Sequence, residues 1–224
     1  MAKLVYIVGK SGSGKSTSIR NFNPLETVVI NADANPYPYR GFEKSYNDVN
    51  KNYLKTSDVK LISKVLTSLN DRKEIKRVVI DTWTRTMTDH VMSQVFRKDS
   101  GFDKWAQMSG MQYDLINLIN NILREDLIVY LFAHPESYYN DIGLLAEKVS
   151  TPGKQLEKLV PESFSSIVLY TELSVMVGKE PEFMFRTKTN GADTCKTPME
   201  MFTDTLVPND LNFVESIIRA YYEQ

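Results

Sequence analysis

Cysteine is nearly absent: Cys195 is the only one in 224 residues. An internal disulfide framework and a CxxC zinc site are thereby excluded, and a reducing compartment fits. Neither sign of charge is in excess, since 27 Lys and Arg face 28 Asp and Glu for a net charge of −1. No global basic field recruits nucleic acid or a membrane, so any nucleic-acid contact must be local. Uncharged apolar runs stay well short of the roughly 18 to 20 residues that span a bilayer. The first one, Met1-Ala-Lys-Leu-Val-Tyr-Ile-Val8, leads straight into glycines and reads as a strand rather than a targeting segment. No linker rich in Gly, Ser or Pro, no repeat and no low-complexity tract marks a boundary. The expectation is one soluble, cytoplasmic domain over residues 1–224, without a membrane partner. With 42% apolar and 25% charged residues, the chain can bury a sizeable core.

β-Branched runs recur at Lys3–Val8, Thr27–Asn31, Arg77–Ile80, Leu127–Phe132 and Ser166–Thr171. Apolar stripes at helical spacing fall between them, over Val59–Leu69 and Trp105–Leu123. Strands alternating with helices predict an α/β fold whose mostly parallel sheet is covered on both faces. Later the pattern changes: Ser174–Val177 and Glu182–Thr189 predict an antiparallel hairpin, and Asn209–Tyr222 a closing helix capped by Asn209 or Asp210. Two long stretches, 34–56 and 135–161, carry no assignment, and long loops in a compact domain are usually functional or mobile.

Gly9-Lys10-Ser11-Gly12-Ser13-Gly14-Lys15-Ser16 fits G-x-x-x-x-G-K-[ST] between a strand and a short helix, the context that this phosphate-binding motif requires. Its glycines let successive N–H groups turn inward on a triphosphate, and the helix N-terminus adds partial positive charge. Lys15 reaches the β- and γ-phosphates, Ser16 offers a hydroxyl to Mg²⁺, and Thr17 can hydrogen-bond further along the chain of phosphates. The run Lys76-Arg-Val-Val-Ile-Asp81 ends a strand on a carboxylate that can hold the metal largely through water. Hydrolysis also needs a group that orients or deprotonates water. Asp33 is the best placed, because it follows the second strand at the edge where ligands bind in open α/β folds; Glu26, Glu43 and Asp48 are weaker choices. His134, ending the fourth run, is either a γ-phosphate sensor or a satisfied strand-end histidine.

In this order, the phosphate loop, Ile-Asn-Ala-Asp33, Val-Ile-Asp81 and Ala-His134 resemble the RecA-like ATPases, including the RecA and DnaB branches. More narrowly, the chain resembles small phage-encoded RecA-core ATPases linked to single-strand annealing recombination. That likeness spans nearly the whole chain and rests further on the short segment after Lys15, on Thr151–Pro161, and on the 185–191 and 194–202 segments. The relatives commonly have Glu where this chain has Asp33. The resemblance implies ATP and Mg²⁺ as ligands, a ring or filament of identical subunits, and phage or host recombination or replication proteins as partners. It implies a basic finger reaching the neighbouring subunit's nucleotide, with Lys188 first, Arg186 second and Lys196 behind them. It also implies single-stranded DNA on the segments Phe96–Trp105 and Pro135–Pro161, where aromatics and lysines suit base stacking and phosphate contact. Two other functions stay open. One is an ATP-regulated interaction module with little turnover; the other is a small-molecule kinase, disfavoured because 135–161 has no arginine for a lid.

Overall fold

The computed structural model describes residues 1–96, 103–153, 157–158, 160–175, 178 and 180–223. Ten strands form in chain order: β1 Lys3–Val8, β2 Thr27–Asn31, β3 Tyr53–Lys55, β4 Arg77–Asp81, β5 Ile128–Ala133, β6 Pro135–Tyr139, β7 Leu145–Val149, β8 Ile167–Ser174, β9 Glu182–Arg186 and β10 Leu206–Pro208. Eight of them make one sheet, ordered β10-β9-β8-β1-β5-β4-β2-β3. From β8 to β3 every neighbouring pair is parallel, whereas β9 and β10 extend the β8 edge antiparallel. The strands β2, β4 and β5 are buried at every position. Such continuous runs are what a parallel sheet packed on both faces demands. The expected α/β fold, a mostly parallel sheet with a small antiparallel extension, is the one observed.

Alternation along the strands divides the core in two. Leu4, Tyr6 and Val8 of β1 face a layer made by α2 (Val59–Ser68), α3 (Trp83–Phe96) and α4 (Asp103–Asn121). Val5 and Ile7 face the opposite layer, built on Ile19, Phe22, the short α1 (Phe42–Ser45) and the closing α5 (Leu211–Tyr222). Asp58 caps α2 by accepting from the Lys60 amide at 2.9 Å, and Asp210 caps α5 by accepting from Asn212 at 2.9 Å. Of the two expected caps for the closing helix, then, Asp210 takes the role and Asn209 is left outside it.

Buried charges bind α5 to the sheet. Glu215, 3% exposed, accepts from Arg77 Nε at 2.7 Å, from Arg219 Nε at 2.8 Å and from the Tyr130 hydroxyl at 3.1 Å. Arg77 reaches Glu26 as well, at 3.2 Å, and its guanidinium lies 5.0 Å from the Phe22 ring centre. This lattice fixes the register of α5, and with it the Pro208–Asn209 corner just before the helix.

Four details differ from expectation. Strand β8 itself runs through Ser174 into the hairpin, so Ser174–Val177 is no separate strand, and 176–177 lie outside the described residues. Strand β9 ends at Arg186, short of Thr189. A 14-residue helix, α3, follows β4 where none is expected; it buries Trp83, Met87 and Val91 at helical spacing, and its buried polar groups pair, Trp83 Nε1 donating to Gln112 at 2.7 Å and Gln112 to Thr86 at 3.1 Å. Finally, the 135–161 stretch contains an antiparallel ribbon of β6 and β7, while 34–56 carries α1 and β3 around stacked aromatics.

Candidate active site

Strands β1 and β5 lie side by side, but their onward connections leave in opposite directions across the sheet, β1 toward β2 and β5 toward β8. Ligands of open α/β sheets bind outside the carboxyl ends at such a reversal. The 9–16 loop leaves β1 there and His134 leaves β5. A cleft of about 690 Å³ opens at this point, floored by Ser11–Thr17 and walled by Asp33, Asp81, His134 and the β9–β10 corner.

The loop has its shape for two separable reasons. Gly12 and Gly14 have φ of +76° and +92°, which side chains rarely adopt. Gly9 is needed for clearance, since a Cβ there would lie 1.8 Å from Thr171 Oγ1 and 2.5 Å from Ser13 Oγ. Gly9→Ala should therefore cost about 1–3 kcal/mol of stability by overpacking. Thermal melting of Gly9→Ala with and without Thr171→Ala checks this, recovery in the double variant being the expected result. The Ser13 amide closes the loop onto Lys10 O at 3.2 Å, while those of Gly12, Gly14 and Lys15 make no hydrogen bond to the described residues. These amides thus remain to meet an anion.

After the loop comes only a four-residue 3₁₀ turn, Ser16–Ile19. The expected helix-end charge is corrected accordingly: one turn cannot sum a macrodipole, so the loop amides and Lys15 carry the anion affinity. Lys15 is 6% exposed, and its Nζ donates to the carbonyls of Gly9 at 2.6 Å and Lys10 at 3.0 Å. Burial pulls its ammonium down to about 8, against the pull of Asp81 and Asp33. A bound polyphosphate favours the charged form, so affinity should fall as pH rises through about 8. ATP titrations on either side of that pH measure it; an affinity that rises with pH would contradict the role given to Lys15.

Ser16 Oγ donates to Asp81 Oδ2 at 2.6 Å, joining loop and β4 at one point. Burial pushes the Asp81 carboxyl above its usual range, and the adjacent Asp33 adds to that, while hydrogen bonds from Ser16 and Thr82 oppose it. One hydroxyl and one carboxylate are the few hard oxygen donors that suit Mg²⁺, which keeps its remaining positions for water and phosphate oxygens. Among the described residues, no cluster of three His, Cys, Asp or Glu could cage an ion without such help.

Asp33 stands beside Asp81, and Thr82 links the two, its hydroxyl lying 2.7 Å from Asp33 Oδ2 and 3.1 Å from Asp81 Oδ1. Asn31 shapes the turn that presents Asp33, donating to Asn35 O at 2.8 Å and accepting from the Ala34 amide at 2.9 Å. Of the other carboxylates considered, Glu26 pairs with Arg77, and neither Glu43 nor Asp48 lines the cleft. His134 Nδ1 lies 3.3 Å from Gly9 O. Burial and the Lys15 charge lower its pKa, so it is neutral at pH 7. A carbonyl can only accept, so Nδ1 holds the proton and Nε2 is left as an acceptor.

No protein-family model matches this chain, and no curated protein does. Among solved structures, the fold is similar to that of a KaiC-like protein from the hyperthermophilic archaeon Pyrococcus horikoshii OT3. The two share 13% identity at a TM-score of 0.49, over 92% of this chain and 88% of that one. At that distance no residue role carries across, and the site rests on its own geometry.

The late basic residues sit apart from it: none of Arg186, Lys188 and Lys196 lines this chain's cleft. Arg186 is bound internally to Glu172 at 3.0 Å and Asp193 at 2.7 Å, whereas Lys188 is exposed, with Nζ 3.3 Å from Thr203 O. Lys10, expected only as part of the loop, pairs with Glu147 of β7 at 2.9 Å and so ties the ribbon to the phosphate loop. Of the two segments assigned to DNA, residues 97–102 of the first and 154–156 and 159 of the second lie outside the described residues. In the ribbon, Lys148 is held by Glu157 at 2.7 Å and Glu136 at 3.5 Å, while Tyr139, Ile142, Leu144 and Leu145 are exposed. No helix among the described residues is long and apolar enough to cross a membrane.

Sequence reasoning missed three groups at the cleft. Thr82 could have been read from a hydroxyl following a strand-end Asp. Tyr37, whose ring stacks on Phe42 at 3.9 Å and whose hydroxyl lies beside Asp81, left no local signal. Asn209 was hidden behind its resemblance to a helix cap.

Proposed function

We propose that this protein is a Mg²⁺-dependent ATPase of RecA-like fold that works as an oligomer on single-stranded DNA. The observation that carries the ATPase reading is the convergence of Lys15, the unpaired loop amides and the Ser16–Asp81 contact of 2.6 Å at one end of the cleft. Bound there, Mg²⁺ would supply charge neutralisation to the phosphates. Lys15 stabilises charge on the transferred group, Asp33 orients water as an acceptor positioned by Thr82, and His134 Nε2 accepts from water beside the γ-phosphate. Lys188, exposed and outside its own cleft, fits a group supplied to a neighbouring subunit, whereas the internal pairs of Arg186 disfavour it.

A second reading is an interaction module switched by ATP. It draws on the ribbon, whose exposed tip is apolar and whose Lys148 is already paired, a surface better suited to protein than to phosphate. ATP turnover with and without single-stranded DNA, alongside a mass measurement in ATP, separates the two. DNA-stimulated turnover by an oligomer supports the first; ATP binding by a monomer that releases no phosphate overturns it in favour of the second.

A further inference from the structure

At the end of the cleft away from Asp81, the β9–β10 corner contributes Phe183, Met184, Pro208 and Asn209. Phe183 is 46% exposed, an aromatic face left uncovered. Asn209 is the opposite case, at 5% exposed. Its backbone is fully used: the amide donates to Phe183 O at 3.3 Å, and the carbonyl accepts from Arg20 at 2.7 Å. Its carboxamide is not. Nδ2 is buried without a hydrogen-bond partner, and the group stands 3.1–3.2 Å from where a side chain on Gly14 would begin. A buried amide with nothing to bond is costly, and such a group in a binding cleft needs an explanation. Capping does not provide one, because Asp210 caps α5.

We propose that the Asn209 carboxamide reads the nucleobase and selects adenine, with Phe183, Met184 and Pro208 as the apolar shelf for the ring. This rests on the nucleotide reading above and adds the base to it. A carboxamide offers one donor and one acceptor side by side. The N6/N7 edge of adenine offers the complement, an amino donor beside a ring acceptor, whereas the O6/N7 edge of guanine offers two acceptors. The exposed aromatic face supplies stacking, which is indifferent to base identity. Selectivity therefore falls to Asn209. Arg20 and the Phe183 carbonyl hold its backbone, so the carboxamide is presented from a fixed corner.

The test is calorimetric titration of ATP, GTP and inorganic tripolyphosphate into wild type, Asn209→Ala, the uncharged and similarly sized Asn209→Leu, and Lys15→Ala. Wild type should prefer ATP to GTP by roughly tenfold or more. Both Asn209 variants should lose that preference while binding tripolyphosphate as wild type does, which also shows that the loop is intact. Lys15→Ala should lose all three ligands. Equal affinity of wild type for ATP and GTP, or an undiminished preference in the Asn209 variants, would overturn the assignment. So would a loss of tripolyphosphate in both Asn209 variants, since the residue would then be supporting the loop instead of reading a base. Failure of the underlying nucleotide reading looks different: tripolyphosphate would not bind wild type, and the adenine assignment would fall with it.

Discussion

Lys15→Ala should lower ATP affinity by about a hundredfold or more while leaving the fold intact. Two charge-assisted hydrogen bonds to phosphate, at about 1.5–3 kcal/mol each, set that scale. The free protein supports the separation of binding from stability. In it the Lys15 ammonium is desolvated and only partly compensated by the Gly9 and Lys10 carbonyls, as its lowered pKa shows. Charge held under that penalty serves a ligand more than the fold. Calorimetric titration with ATP, alongside thermal melting, measures both quantities. An alanine variant that binds ATP within a few-fold of wild type would place the triphosphate somewhere other than this loop.

The largest loss of stability is expected far from the cleft. Glu215→Ala leaves the Arg77 guanidinium, itself 7% exposed, beside Phe22, with the half-exposed Glu26 carboxylate at 3.2 Å and the neutral Thr27 hydroxyl to face it. Breaking a buried pair from one side costs about 3–5 kcal/mol, because the remaining charge is stranded. Replacing the pair together, as Arg77→Met with Glu215→Leu, should recover most of that loss, since a well-packed apolar pair is often neutral. Urea denaturation of the single and double variants gives both numbers. A single variant within about 1 kcal/mol of wild type would mean that water reaches Arg77 and that the lattice does not fix α5.

What could be read from the sequence, and what could not, divides along physical lines. The five main strands were legible because a parallel sheet covered on both faces leaves uninterrupted β-branched runs. Gly9–Ser16, Asp81, Asp33 and His134 were legible because each sits where such a run stops. Helix α3 was not: its apolar stripe is narrow, Trp83, Met87 and Val91, and buried Thr84 and Thr86 beside it blur the period, Thr86 being met by Gln112 of α4. The β6–β7 ribbon was missed because neither of its faces joins the core strongly, so its sequence hardly alternates. Asn209 and Asp210 are equivalent as local caps. Tertiary contacts with Gly14 and Arg20 decide between them, and nothing in the local sequence encodes those contacts. The same holds for Tyr37, carried to Asp81 by a stack on Phe42 and Tyr46 that depends on how residues 34–56 fold back.

Phosphate release from ATP by wild type and Asp81→Asn, with Mg²⁺ and with the metal chelated, bears most directly on the proposed chemistry. Expected is release by wild type that needs Mg²⁺ and falls about a hundredfold or more in the variant, the scale on which removing one well-placed electrostatic group acts. Release that persists without the metal, or that proceeds equally well in Asp81→Asn, would contradict hydrolysis at the Ser16–Asp81 end of this cleft.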